Sequence, residues 1–222
     1  MIDQFLLPLC RAAAACYDPA VAPTFQNAEK LVHVYQSVVT IPDGGLRFCC
    51  FAFEGTTDWE EWIVDFVAGP VPYEQHPDAG MVHAGYLLNV QSVLADIQGA
   101  ISALGDPPFV ICGHSKGAGE AIICHMLLRA SGMTPLATRA YEPPRVGGPK
   151  LSAYLAGDDV GWTRTTNRWG SDLVTLVPAG PVGLEGEWEH QGTKTMLTVP
   201  DGCGIAEKHK IPSVLAAIQA LV

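Results

Sequence analysis

Basic charge is what this chain has least of: 13 lysines and arginines stand against 23 aspartates and glutamates, a formal net charge of −10 over 222 residues. A protein that tracks a nucleic-acid backbone needs a basic surface, so that class is excluded. Attraction to an anionic membrane by charge alone is disfavoured for the same reason. Long apolar runs are missing too, and nothing approaches the roughly 20 residues of a transmembrane helix. The opening residues MIDQFLLPLCRAAAAC lack the basic start and unbroken apolar core of a secretory signal: Asp3 comes first, Pro8 and Arg11 interrupt, and Phe5-Leu6-Leu7 is short. A cytoplasmic location is therefore slightly favoured over secretion of a chain whose signal has been removed. Ligand spacing is also absent. The seven histidines do not fall into register with cysteines or carboxylates, so neither a metal nor a cofactor is expected. The seven cysteines, an odd number without a framework, read as reduced structural thiols, with a pairing of Cys10 or Cys16 left open.

What is present is a chain 48% apolar and 16% charged, long enough to bury one large core. It reads as a single domain over residues 1–222, without internal repeats or linkers. An Ala-rich helix is expected over residues 2–17, stopped by Asp18-Pro19. Strands over 30–40 and 46–53 flank a Pro-Asp-Gly-Gly turn and form a hairpin. Residues 58–67 form a short amphipathic helix: Trp59, Trp62, Ile63, Phe66 and Val67 share one face, with Asp58, Glu60, Glu61 and Asp65 on the other. It is read either as scaffold packing on the core or as a lid whose apolar face covers a substrate cleft. A helix over 82–104, strands at 109–112, 136–141, 161–166 and 193–199, and helices over 118–130, 149–155 and 211–222 complete the pattern. Strands alternating with helices predict an α/β fold with a mainly parallel central sheet covered by helices on both faces.

The stretch FVICGHSKGAGEA, residues 109–121, carries the chemistry. An apolar strand runs into Gly113-His114-Ser115-Lys116-Gly117 and then into a helix. That is the setting of a nucleophile elbow, in which a serine hydroxyl projects from a strained turn above a helix N-terminus. A serine nucleophile needs a base within reach and an acid to orient that base. In hydrolases of this architecture both follow in loops after later strands, acid first. Asp172 fits the acid. His209, after the last strand, is preferred as base over His190, which precedes that strand; His114, inside the elbow, is expected to pack or hydrogen-bond beside the serine. Two N–H donors must meet the oxyanion, and Lys116 with Thr56, in the loop after the second strand, are the candidates.

With these residues in place the chain resembles the class 3 (fungal-type) lipases, which are α/β-hydrolases. Phe53-Glu54-Gly55-Thr56 looks like that family's F-R-G-[ST] oxyanion loop, and residues 62–65 like the W-x-x-D of its lid region. Val82-His83-Ala84-Gly85-Tyr86 resembles V-H-x-G-F, which makes His83 a further candidate. Pro144-Arg145-Val146-Gly147 resembles P-R-V-G, and residues 167–174 resemble the N-x-x-D-x-V acid loop. His190 falls in a non-catalytic H-x-G, while His209 takes the place of the triad histidine. The resemblance implies a Ser115–His209–Asp172 triad acting through an acyl-enzyme on acylglycerol or related esters at a lipid–water interface. Phospholipid or aryl and polymeric esters are alternative substrates, and an inactive binding scaffold is the alternative from another class. Glu54, Lys116, Ala118 and Glu120 depart from the family's usual residues, and the three charged ones add charge beside the serine.

Overall fold

The computed structural model describes residues 3–56 and 69–221. The strand β2 (Val32–Thr40) buries Val32, Val34 and Val39 and turns through Gly44, at φ 81°, into β3 (Arg47–Phe53). The two pair antiparallel from Val34↔Phe53 to Thr40↔Arg47, which is the expected hairpin. A short β1 (Phe25–Asn27) adds to its outer edge. From β3 inward the sheet is parallel. It continues through β6 (Phe109–His114), β7 (Ala137–Tyr141), β8 (Val160–Asn167) and β10 (Thr193–Thr198), in the order β1-β2-β3-β6-β7-β8-β10. A two-residue β9 (Gly170–Ser171) folds back antiparallel on β8.

β6 shows why its sequence is an unbroken apolar run. Phe109 and Ile111 face one core cluster, with α2 (Ala84–Gln91), α3 (Leu94–Ala103) and α4 (Lys116–Ala130). Val110 and Cys112 face the other, with α1 (Leu6–Ala15) and α7 (Ile211–Gln219). A strand covered on both faces has no solvent side to make polar, and each buried Phe or Ile contributes about 1.5–3 kcal/mol. Cys49 and Cys50 likewise serve opposite clusters. All seven cysteines are free, Cys10 and Cys16 included.

Several elements differ from expectation. The helix predicted over 82–104 starts late and divides. Val82 and His83 belong to β5 (Met81–His83), paired with β4 (Pro70–Pro72). After Gln91 the Ser92 hydroxyl donates to the Asn89 carbonyl at 2.6 Å and Val93 leaves helical geometry (φ −123°, ψ 0°). A serine that bonds its own backbone ends a helix in this way. Beyond a short α5 (Pro149–Tyr154), a one-turn α6 (Ile205–His209) precedes α7, separated from it by the extended Lys210. Among the described residues no helix is long and apolar enough to cross a membrane. The candidate lid at 58–67, with Trp59, Trp62, Ile63 and Phe66, lies outside the described residues.

Candidate active site

Ser115 stands between β6 and α4 at φ 58° and ψ −126°, a conformation that costs a non-glycine residue about 1–3 kcal/mol. Close packing holds it there. A Cβ on Gly117 would lie 2.3 Å from the Phe53 carbonyl oxygen, and one on Gly113 2.2 Å from that of Gly117. The two glycines of G-x-S-x-G therefore let strand, helix and the end of β3 crowd together. Gly55 repeats the device, since its Cβ would fall 3.2 Å from that of Ser115 and 2.6 Å from the His114 carbonyl oxygen. Thr56 follows directly on this close approach of Gly55 to the serine. Lys116 opens α4, so its N–H is one of those no helix carbonyl can satisfy, and the positive end of the helix dipole lies there.

Three side chains distant in sequence meet at this point. Ser115 Oγ is 2.7 Å from His209 Nε2, and His209 Nδ1 is 2.7 Å from Asp172 Oδ2. All three are buried, at 0, 1 and 0% exposure. Asp172 Oδ1 accepts from the Val174 N–H at 3.0 Å. Burial alone would raise the Asp172 carboxyl. The hydrogen bond and charge of His209, with help from Glu142 and Val174, outweigh it and hold it below the ordinary aspartate value. Asp172 is therefore a carboxylate, so the His209 proton sits on Nδ1. Nε2 is left to accept from the serine hydroxyl.

The other candidate histidines are occupied elsewhere. His114 Nε2 donates to the His209 carbonyl at 2.7 Å, and Nδ1 is 2.7 Å from the Tyr17 hydroxyl. A carbonyl only accepts, so Nε2 carries the hydrogen and Nδ1 takes the Tyr17 proton. Burial, then the neighbouring His209, lowers His114 to about 3. It braces the backbone of His209. His190 stacks on Trp162 at 3.8 Å and donates from Nε2 to the Thr175 carbonyl at 2.8 Å. His83 is buried, packs tilted against Tyr86 and Trp188, and is lowered by burial to about 4.

The unexpected charged side chains near the serine find hydrogen-bond partners within the protein. Lys116 Nζ bonds Glu120 Oε1 at 2.7 Å and the Leu31 carbonyl at 2.9 Å, and Asn89 donates to the same Glu120 oxygen. Glu54 Oε2 accepts from Tyr35 at 3.1 Å and lies 2.6 Å from His33 Nδ1. Three residues around the site escaped the sequence reading: Tyr17, Thr165 and Glu142. Only Glu142 left a signal, as a lone charge between the apolar end of a parallel strand and Pro143-Pro144.

A family model described as lipase (class 3) matches residues 50–181, more than half of the chain. The chain belongs to the class 3 lipases. Their α/β-hydrolase fold returns among solved structures. Lipase II from Rhizopus niveus aligns with a TM-score of 0.60 at 23% identity, covering 78% of this chain and 64% of that one. A Rhizomucor miehei lipase in complex with its propeptide, a deletion mutant, gives 0.67 at 19%, covering 87% and 66%. A triacylglycerol lipase whose catalytic centre is described as a serine protease triad gives 0.55 at 21%, covering 76% and 63%. At these identities the likeness speaks for the fold, and this class 3 chain spans about two thirds of the length of those lipases. No curated protein matches the sequence.

Proposed function

We propose that this class 3 lipase-family chain hydrolyses carboxylic esters through an acyl-enzyme on Ser115. The observation that carries the reading is the continuous relay Ser115 Oγ–His209 Nε2 and His209 Nδ1–Asp172 Oδ2, with 2.7 Å at both steps. His209 removes the serine proton as Oγ attacks the ester carbonyl. The oxyanion forms against the backbone N–H of Lys116 and the Thr56 loop, and Asp172 stabilises the imidazolium. His209 then gives its proton to the departing alcohol. In the second half it takes a proton from water, whose oxygen attacks the acyl carbon; the carboxylic acid leaves and the serine is restored.

The substrate class proposed is an acylglycerol or related ester presented at a lipid–water interface. The pairing of Lys116 with Glu120 supports it, because it removes a free positive charge from beside the nucleophile. Ser115→Ala is expected to lower p-nitrophenyl ester turnover by about 10⁴-fold or more and to abolish labelling by a fluorophosphonate. Retained turnover would overturn the assignment, and an unlabelled wild type would point to a binding scaffold. Rates measured against acyl chain length, below and above the point where substrate forms an interface, test the substrate class. A smooth curve with no rise at the interface counts against it.

A further inference from the structure

Glu142 follows the last residue of β7 and is entirely buried, with φ 51°. A non-glycine residue in this region stores strain, and such residues gather at functional sites. The side chain extends towards β8. Oε1 accepts from the Thr163 hydroxyl at 3.0 Å and Oε2 from the Thr165 N–H at 2.9 Å. Thr165 also accepts the Asp172 N–H at its carbonyl, 3.0 Å away, and its hydroxyl donates to the Lys208 carbonyl at 2.9 Å. One threonine thus ties Glu142 to the backbone of the triad acid and to the residue before the triad histidine. The carboxyl groups of Glu142 and Asp172 lie within mutual hydrogen-bond reach.

Charge balance decides the state of this pair. Among the described residues no salt bridge involves Glu142, whereas Asp172 has His209. The other charged or titratable groups facing Glu142 are Arg164 on β8, which donates instead to the Thr175 carbonyl, and the Cys10 thiol on α1. Two adjacent buried carboxyls sharing one site do not both ionise. Burial first and the Asp172 charge second push Glu142 well above the ordinary glutamate value.

We infer that Glu142 is a positioning residue of the relay: its carboxyl is the neutral acid and donates a hydrogen bond to the Asp172 carboxylate, fixing the group that orients His209. The proton stays on Glu142 throughout turnover. Asp172 remains the single negative charge behind the imidazole, so the basicity of His209 is set by one tempered carboxylate rather than by two.

This inference rests on the esterase reading, and its test has an arm independent of activity. In the first arm, Glu142→Leu removes the donor at similar size. It is expected to lower kcat about 10- to 100-fold with KM within about twofold. It is also expected to move the acid limb of kcat/KM to higher pH, because an untempered Asp172 holds the imidazolium more strongly. Glu142→Gln, which keeps a donor, should recover kcat to within about threefold of wild type and return the limb. A Leu variant equal to wild type, or a Gln variant no better than Leu, overturns the proposal. In the second arm, melting temperatures of wild type and Glu142→Gln are compared from pH 5 to 8. A glutamate neutral in the fold must take up a proton on folding above its unfolded value of about 4.3. The advantage of the Gln variant should therefore grow with pH, and a constant difference would overturn the neutral acid even if no ester were hydrolysed.

Discussion

Among the described residues stand two hydroxyl–histidine–aspartate relays. One is Ser115–His209–Asp172 at the carboxyl end of the sheet. The other joins β7, α4 and the turn before β8: Thr138 Oγ1 is 2.9 Å from His125 Nδ1, and His125 Nε2 is 3.0 Å from Asp158 Oδ2. Their proton layouts match. In each the carboxylate accepts an N–H from the ring, and the other ring nitrogen accepts from the hydroxyl. The surroundings differ. Ser115 occupies a strained turn at a helix N-terminus, whereas Thr138 lies inside β7 with its N–H bonded to the Asp159 carbonyl. No spare N–H waits there for an oxyanion. Arg129 also binds Asp158, sharing the carboxylate that would otherwise serve the ring alone. Burial lowers His125, with Asp158 opposing, so the ring stays neutral. The same three residue types stand at a strained elbow in one place, where we propose the nucleophile, and form a clasp between β7, α4 and the turn before β8 in the other. The elbow and the helix terminus make the difference.

Substituting the two acids separates the relays most strongly. Asp172→Asn is expected to lower kcat by about 10⁴-fold. Asp158→Asn should leave kcat unchanged and lower stability by about 1–3 kcal/mol, as expected for losing charged hydrogen bonds to His125 and Arg129. Denaturant titration and steady-state kinetics on both variants check this. Similar kinetic losses in the two would erase the distinction.

Thr138→Val is a gentler probe. It preserves shape but leaves His125 Nδ1 without its donor, at a cost of about 1–3 kcal/mol. Ester turnover by the folded protein should not change. If turnover fell with stability intact, Thr138 would have to communicate with the site.

A further probe is pH, which acts on all the buried rings at once. His83 and His190 are lowered to about 4 and His114 to about 3, chiefly by burial, and His125 is lowered for the same reason. A ring held neutral in the fold binds its proton only on unfolding. Stability should therefore fall as pH drops below the unfolded value of about 6.5, by up to about 1.4 kcal/mol per pH unit for each ring. The loss ends once pH passes below the folded values. Glu142 and Glu120, both raised in the fold by burial, oppose this as two groups against four. A melting temperature that stays flat from pH 6.5 to 4.5 would mean that the rings are already charged in the native protein.

Much of the architecture was legible because its causes are local. The apolar run of β6 and the turn at Ser115 are set within a few residues. The hairpin of β2 and β3 reads directly from two alternating runs around Pro42-Asp43-Gly44-Gly45. The break at Ser92 was not legible, because the choice between a helix bond and a serine–backbone bond is nearly balanced. Neither was α6, a single turn too short to carry a period. His209 was favoured over His190 on chain order, yet the pattern expected it in a loop, and it closes a turn of helix instead.

The sequence by itself determined the elbow, the α/β alternation and the family, since periodicity, turn chemistry and short motifs are written in neighbouring residues. Only the tertiary structure decided which side chains act together. Ser115 meets a histidine 94 residues away, and that histidine meets an aspartate 37 residues before it. It also brought Glu142 against Asp172 and turned Lys116 towards Glu120. Such contacts depend on which strands lie side by side, and strand order is fixed by packing both faces of the whole sheet rather than by any local stretch.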